Sequence, residues 1–167
     1  MSRVRLREAR ATDAATIADV HAASIRELGP EAYDDRQVRA WRSNVDPERY
    51  PLEEADARMI VAERGDDGLV GFGLLDLEPN DADDPSVGTI GAVYVHPEHV
   101  REGIGRTILE TLESIARDAG LETLGLTASK NAIGFYERQG YEGVETVALE
   151  MTDGVSLEAL RMRKQLD

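Results

Sequence analysis

The chain has 167 residues and a formal net charge of -14, because 33 acidic residues stand against 19 lysines and arginines. It contains no cysteine, which excludes disulfides, thiolate metal sites and a cysteine nucleophile. No apolar run reaches the roughly eighteen residues of a membrane span, and the charged N-terminal segment lacks the apolar run of a signal peptide. We therefore expect a single domain over residues 1–167, located in the cytoplasm.

The acidic residues are dispersed along the chain, and only two residues, Lys130 and Lys164, are lysines. This composition is typical of halophilic proteins, whose surface charges are screened over short distances in concentrated salt. An acidic protein from an ordinary environment is the alternative, and the sequence leaves both open. The negative field repels nucleic acids and anionic membranes, so we expect neither as a partner. An anionic ligand needs a local exception to this field.

Apolar periodicity and turn residues divide the chain into alternating groups of strands and helices. The predicted elements are a strand at 4–7, a helix from an N-cap at Thr12 to residue 28, a helix at 34–43, a loop with a helical turn at 44–57, strands at 58–64, 69–78 and 86–95, a helix at 103–119, a strand at 122–128, a helix at 131–139, and strands at 142–151 and 155–164. Gly120 and Gly140 are expected to end the last two helices.

Hairpin turns at 65–68 and 152–154 predict antiparallel neighbours, whereas the strand–helix–strand unit at 86–127 predicts a parallel pair. The sequence therefore predicts an α/β (α+β) fold, with a mixed, mostly antiparallel sheet of about seven strands flanked by about four helices.

Two glycines, Gly103 and Gly105, stand where a strand gives way to a helix. The first amides of a helix have no partner within it and carry the positive end of the helix dipole. Glycine lets a ligand approach such amides closely, so the pattern predicts a phosphate site. Arg101 and Arg106 supply local positive charge, and Glu102 opposes them unless it points outward.

Known phosphate loops differ in the residues around such glycines. A P-loop needs a lysine after its last glycine, and none follows here. A dinucleotide fingerprint needs a third glycine, and Ile108 occupies that position. The remaining pattern, after a strand, has a glutamine or arginine three residues before the first glycine of Gly-x-Gly or Gly-x-Ala. A nucleotide-binding protein that uses this loop for another phosphate stays an open alternative.

The loop REGIGR at 101–106 and the segment FYERQGY at 135–141 together resemble the GCN5-related N-acetyltransferase (GNAT) family. The second segment is similar to the family's F-Y-x-x-x-G-[FY] signature, and residues 4–26 resemble its first strand and helix. The resemblance covers nearly the whole chain. It implies a GNAT fold in which the parallel pair in the middle of the sheet is splayed.

By this resemblance the cosubstrate is acetyl-coenzyme A, which the loop amides and the preceding strand would hold. The implied contact residues are Val93, Tyr94, Val95, Val100, Arg101, Glu102, Gly103, Ile104, Gly105, Arg106, and either Ser129 or Asn131. Val100 stands where the family usually has glutamine or arginine, and Ser129 stands where it often has asparagine. The sequence does not decide between Ser129 and Asn131.

The resemblance also places Tyr136 beside the cosubstrate sulfur, as the acid that protonates the leaving thiolate. An amide on the strand at 91–95 would stabilise the oxyanion. The acceptor, a primary amine of a small molecule or peptide, would attack directly in a ternary complex.

The general base is not evident from the sequence. The family positions that often carry glutamate hold Thr89 and Leu124 here. Four side chains elsewhere are alternatives: Glu78, Asp76, Glu27 and His21. The three histidines lack metal-ligand spacing, so we expect no metal.

The acceptor would lie against the first two helices, the loop at 44–57 and the last hairpin turn, where tyrosines, a tryptophan and many acidic residues occur. Because the base is missing and Val100 departs from the family pattern, a catalytically inactive coenzyme A-binding module or scaffold with the same fold is the alternative. A homodimer is compatible with either function.

Overall fold

A computed structural model describes residues 4–77, 86–151 and 154–167. These residues form seven strands and four α-helices: β1 (Val4–Glu8), α1 (Ala14–Leu28), α2 (Asp35–Ser43), β2 (Ala57–Arg64), β3 (Leu69–Asp76), β4 (Val87–Val95), α3 (Ile104–Asp118), β5 (Thr123–Ser129), α4 (Ile133–Arg138), β6 (Glu142–Glu150) and β7 (Ser156–Gln165). The predicted order of elements is confirmed. The candidate base Glu78 and most of the last hairpin turn, residues 152 and 153, lie outside the described residues.

Helix α1 begins later than predicted, because the turn before it is a 3-10 helix at Ala11–Asp13. The Asp13 carboxylate accepts hydrogen bonds from the Arg10 amide (2.7 Å) and from the Arg7 guanidinium (2.8 and 3.0 Å), which fix this turn. Thr12 therefore lies inside the turn, and its assignment as the N-cap is wrong.

The other helix ends follow the expected residue chemistry. The Asp34 side chain caps α2 by accepting a hydrogen bond from the Gln37 amide at 2.8 Å. Gly120 (φ +87°) and Gly140 (φ +96°) follow α3 and α4 in the left-handed region, which glycine adopts without steric cost. None of the described helices is long and apolar enough to cross a bilayer.

The strands form one sheet in the order β1-β2-β3-β4-β5-β7-β6. Every neighbouring pair is antiparallel except β4 and β5, which confirms a mixed sheet with one parallel pair in the middle. The parallel pairing joins only Val87 to Thr123, Gly88 to Leu124 and Thr89 to Gly125. Beyond these residues β4 and β5 no longer pair with each other, although β4 stays paired with β3 and β5 with β7, so the two strands diverge as the resemblance implied.

Helices cover both faces of the sheet. The apolar side of α3, with Ile104, Ile108 and Leu112 almost fully buried, packs on one face. Helix α1 lies on the opposite face and buries Ile17 and Val20 against residues of β2 and β3. The point where β4 and β5 diverge therefore lies between two helical layers.

A buried ion pair joins α3 to β7. The Glu113 carboxylate, 4% exposed, accepts hydrogen bonds from Lys164 Nζ (3.0 Å) and from the Tyr141 hydroxyl (2.9 Å). Burial raises the pKa of Tyr141 above its ordinary value, with the Glu113 charge adding to the effect. One of the two lysines of the chain thus neutralises a buried carboxylate.

We expect Lys164→Met to destabilise the protein by about 3 kcal/mol, because Glu113 is then left buried without its cation. The double variant Glu113→Leu/Lys164→Met should regain most of this loss, since no unpaired charge remains. Urea unfolding measures both. A Lys164→Met protein as stable as the wild type would contradict the proposed role of this pair.

The imidazole of His21 on α1 should make the stability of the protein depend on pH. Burial lowers the pKa of His21 to about 4 from an ordinary value of 6.5, so the unfolded chain binds more protons between these two pH values. Stability should therefore be fully present above pH 6.5 and fall as the pH approaches 4, by about 3 kcal/mol from this residue. Urea unfolding of wild type and His21→Gln across that range isolates the effect, since the carboxylates titrate in both. A constant stability difference would contradict it.

Candidate active site

The opening between β4 and β5 exposes main-chain groups of β4. The His96 amide donates to the Val70 carbonyl (2.8 Å), and Tyr94 pairs with Phe72, so residues 94 and 96 direct their main-chain groups toward β3. In an antiparallel ladder the alternate residues direct theirs away from that partner. The N–H and C=O groups of Val93 and Val95 therefore point toward β5, which has already diverged.

A β-bulge lies at the start of this free segment. The register between β3 and β4 shifts between Leu74 and Leu75, which leaves Gly91 as an extra residue between Ile90 and Ala92. Bulges turn the backbone and interrupt pairing, and they occur often beside functional sites. The stretch expected to supply the oxyanion donor thus begins with an irregular, exposed residue and continues half-buried to Val95.

The loop between β4 and α3 presents the free amides of the helix start. Arg101 (φ +65°) and Gly103 (φ +82°) both adopt left-handed backbone conformations. Among the described residues, Arg101 is the one non-glycine residue with a positive φ. No described residue accepts a hydrogen bond from the amides of residues 103–106. No atom lies within 4 Å of a Cβ built on Gly103, so the space beside these amides is open.

Charged side chains around the loop favour an anion. The Arg101 guanidinium is exposed and makes no ion pair with the described residues. Arg106 is exposed and binds Glu110 on the next turn of α3 at 2.8 Å. Glu102 contacts the Arg64 guanidinium, and this hydrogen bond is the main cause of its lowered pKa. Its carboxylate is therefore held by a cation on β2, which weakens its opposition to an anionic ligand.

Tyr136 lies on α4, on the α3 side of the sheet, and is 6% exposed. Burial raises the pKa of its phenol above the ordinary value, so the hydroxyl is protonated at neutral pH. No described residue forms a hydrogen bond with its hydroxyl. Every fully buried polar side-chain atom of the described residues has a partner, so this hydroxyl must contact solvent-accessible space.

The segment after β5 carries the remaining predicted contacts. Ser129 ends the strand, and exposed Asn131 lies in the turn before α4; neither side chain bonds to a described residue. Between them the Lys130 amide donates to the Tyr33 hydroxyl at 3.0 Å, and that hydroxyl donates to the Glu158 carbonyl at 2.6 Å. The linker between α1 and α2 thus fixes this turn from the opposite side.

Val100 and Phe135 shape the loop without polar contacts. Val100 has an extended backbone and leads into the left-handed Arg101. A Cβ on Gly105 would lie 3.4 Å from Phe135 Cζ and 3.6 Å from Val95 Cγ2, so α4 packs directly against the start of α3.

Aromatic residues gather on the α1 side of the opening. Five of the eight in the chain lie there with His21: Tyr33, Trp41, Tyr50, Phe72 and Tyr94. Burial raises the pKa of Tyr94, although its hydroxyl accepts a hydrogen bond from Trp41. Tyr94 was expected as a cosubstrate contact, whereas its side chain packs in the α1-side layer. Its alternation with Val93 and Val95 along β4 is the sequence signal for this orientation.

The candidate bases lie in different parts of the structure. Glu27 is exposed and binds Arg26 at 3.3 Å, and Leu124, at a family glutamate position, is fully buried in the α3 core. Asp76 pairs with Thr89 in the sheet and lines a cavity of about 460 Å³ with Glu54 and Asp56. No group of three or more His, Asp or Glu side chains in the described parts of the chain could hold a metal ion.

Comparison with known proteins identifies the family. The model of the acetyltransferase (GNAT) family matches residues 19–141, which include the loop, the opening and Tyr136. The chain is 29% identical over 119 residues to a mycothiol acetyltransferase of Kocuria rhizophila. The aligned segment covers 70% of this chain but 37% of that protein. The chain therefore spans little more than a third of the length of this curated relative.

Solved structures share the fold. A GCN5-related N-acetyltransferase from Rhodopseudomonas palustris superposes with a TM-score of 0.84 at 29% identity, covering 99% of this chain and 98% of the other. The PaiA N-acetyltransferase of Thermoplasma acidophilum, solved in complex with coenzyme A, gives 0.76 at 21% identity over 98% and 99% of the two chains. With its match over residues 19–141 and its splayed seven-stranded sheet, the chain belongs to the acetyltransferase (GNAT) family.

Proposed function

We propose that this chain transfers an acetyl group from acetyl-coenzyme A to a primary amine of a small molecule or peptide, as one domain spanning residues 1–167. The observation that carries the proposal is the row of unpaired main-chain groups where β4 and β5 diverge, which continues into the free amides at the start of α3. Such groups need partners, and an extended polar ligand ending in a diphosphate can supply them.

Coenzyme A fits this row in two parts. The amides near Arg101, Glu102, Gly103 and Arg106 would hold the pyrophosphate, with the Arg101 side chain supplying positive charge. The main-chain groups of Val93 and Val95 would pair with the pantetheine arm as with another strand, with Tyr94 between them bonded to β3. The apolar contacts would come from Val100, Ile104 and Gly105, and a polar contact from Ser129 or Asn131.

Acetyl-coenzyme A supplies the thioester, and the chain supplies the groups that stabilise charge around it. The amine attacks directly in a ternary complex, and an amide of the 91–95 segment stabilises the oxyanion. Tyr136 gives its proton to the leaving thiolate. Its phenol is protonated at neutral pH, as a proton donor must be, and it contacts solvent-accessible space.

The surroundings of the opening support a cationic acceptor. The cavity of about 460 Å³ beside β3 is lined by Glu54, Asp56 and Asp76, whose charges attract an ammonium group. The aromatic residues on the α1 side provide apolar surface for the rest of the molecule. We propose that the protein acts in the cytoplasm without nucleic acid or membrane. One chain supplies every group named above, so the site does not require a homodimer.

An inactive coenzyme A-binding module is the second candidate function. Thr89 and Leu124 at the positions of the family's glutamates favour it, since neither side chain can accept a proton usefully. The two functions separate in one experiment: thiol release from acetyl-coenzyme A with a panel of polyamines, aromatic alkylamines, amino acids and short peptides. Release with any amine supports the enzyme, whereas binding of coenzyme A without release supports the module.

We expect Tyr136→Phe to lower kcat for acetyl transfer by about 100-fold, because the thiolate loses its proton donor. Coenzyme A affinity, measured by calorimetry, should stay within a factor of about two, since the ring is retained. Tyr141→Phe is the matched control: it removes a buried hydroxyl bound to Glu113, so it should lower stability and leave kcat unchanged. Equal kcat for wild type and Tyr136→Phe would reject Tyr136 as the acid.

We expect Gly103→Val to weaken coenzyme A binding by at least about tenfold, because a branched side chain strains a left-handed residue and fills the open space beside the amides. Gly120→Val is the control at the other end of α3, with φ +87° and equally open surroundings. Both variants should lose similar stability, but only the first should lose affinity in calorimetry. Unchanged affinity of Gly103→Val would argue against the cradle.

A further inference from the structure

His21 lies on the α1 side of the opening, in contact with β4. Its ring centroid is 4.3 Å from that of Tyr94 and 5.5 Å from that of Phe72. Tyr94 follows Val93, whose main-chain groups face the opening. The other two histidines, His96 and His99, lie in the turn before the cofactor loop. His21 is therefore the imidazole beside the strand that would hold the thioester.

Tyr136 approaches the same place from the opposite layer. It lies on α4, in the α3-side core against which Val93 and Val95 pack. Tyr94, between these two valines on β4, contacts His21 on the α1 side, so His21 and Tyr136 lie on opposite faces of the same strand segment. An acyl transfer needs this separation, because the attacking amine and the leaving thiolate lie on different sides of the carbonyl carbon.

Tyr50 fixes the orientation of the His21 ring. His21 Nδ1 lies 2.9 Å from the Tyr50 hydroxyl, and that hydroxyl comes from the loop after α2. No described residue forms a hydrogen bond with Nε2. Because every fully buried polar side-chain atom of the described residues has a partner, Nε2 must contact solvent-accessible space. The described titratable side chains in ring contact with His21 are Tyr50 and Tyr94, and it pairs with no described carboxylate.

We propose that His21 Nε2 takes the proton from the acceptor nitrogen and that Tyr50 positions the ring, an inference that rests on the acetyl transfer proposed above. The neutral amine forms a bond to the thioester carbon while its N–H proton passes to Nε2. In the resulting imidazolium, Nδ1–H donates to the Tyr50 oxygen. The C–S bond then breaks, and the thiolate takes the Tyr136 proton. After product release the imidazolium loses its proton to solvent, and the Tyr136 phenolate regains one.

Burial lowers the pKa of His21 to about 4, which keeps the imidazole unprotonated at neutral pH and its lone pair available. The same shift makes the imidazole a weaker base, so the position of the ring, and not its pKa, carries the inference. The Tyr50 phenol, with a pKa raised to about 12 by burial, stays protonated, and its oxygen accepts a hydrogen bond from Nδ1–H in the tautomer that leaves the Nε2 lone pair free. The base that the sequence lacked at residues 89 and 124 is thus supplied by a helix of the other layer.

The test compares two nucleophiles with wild type, His21→Gln, Tyr50→Phe and the turn control His96→Gln. The first is the fastest alkylamine of the panel described above, and the second is hydrazine, which is weakly basic and sheds its proton to water more readily. We expect His21→Gln to lower kcat for the alkylamine by about 100-fold and for hydrazine by less than about tenfold. Tyr50→Phe should lower kcat for the alkylamine by a smaller factor, and calorimetry should give unchanged coenzyme A affinity for all variants.

Other outcomes would overturn the inference alone or together with the proposed function. Equal losses with both nucleophiles, or a change confined to KM for the amine, would show a packing or binding role and overturn the inference. An unaffected His21→Gln beside an active wild type overturns the inference alone. A wild type that releases no thiol with any amine or with hydrazine overturns both the proposed function and this inference.

Discussion

Main-chain hydrogen bonding where β4 and β5 separate is the constraint on which this structure depends. A strand in the middle of a sheet normally satisfies its N–H and C=O groups on both sides. Here the parallel pairing stops at Thr89, and β4 continues to Val95 with one side free. The bulge at Gly91 marks the change. The free groups continue into the amides at the start of α3, so one ligand can satisfy both sets.

The acidic composition makes this site a local exception. A chain with a net charge of -14 repels a diphosphate from most of its surface. At the loop, Arg101 is free of ion pairs with described residues, and Arg64 holds the Glu102 carboxylate. The exception therefore depends on a residue of β2, distant in sequence, as much as on the loop itself.

Local patterns predicted most of the fold, and long-range contacts account for what they missed. Apolar spacing gave the helices, and glycine at residues 120 and 140 gave their ends, because these effects act within one turn of chain. The splayed pair came only through the family resemblance, since nothing in either strand alone makes them part. Thr12 was misplaced because the Asp13 carboxylate, bound by Arg7, governs that turn. Tyr33, Trp41 and Tyr50 were expected near the acceptor, but their contacts were not predicted, because His21 meets Tyr50 across 29 residues and Tyr33 meets Glu158 across 125.

Hydrogen exchange of individual amides, followed by NMR with and without coenzyme A, tests the central claim most directly. The account predicts that coenzyme A slows exchange at residues 103–106 and at Val93 and Val95, while the amides near Gly120 at the far end of α3 stay unchanged. Slow exchange at these amides before coenzyme A is added, or no change at saturation, would contradict it.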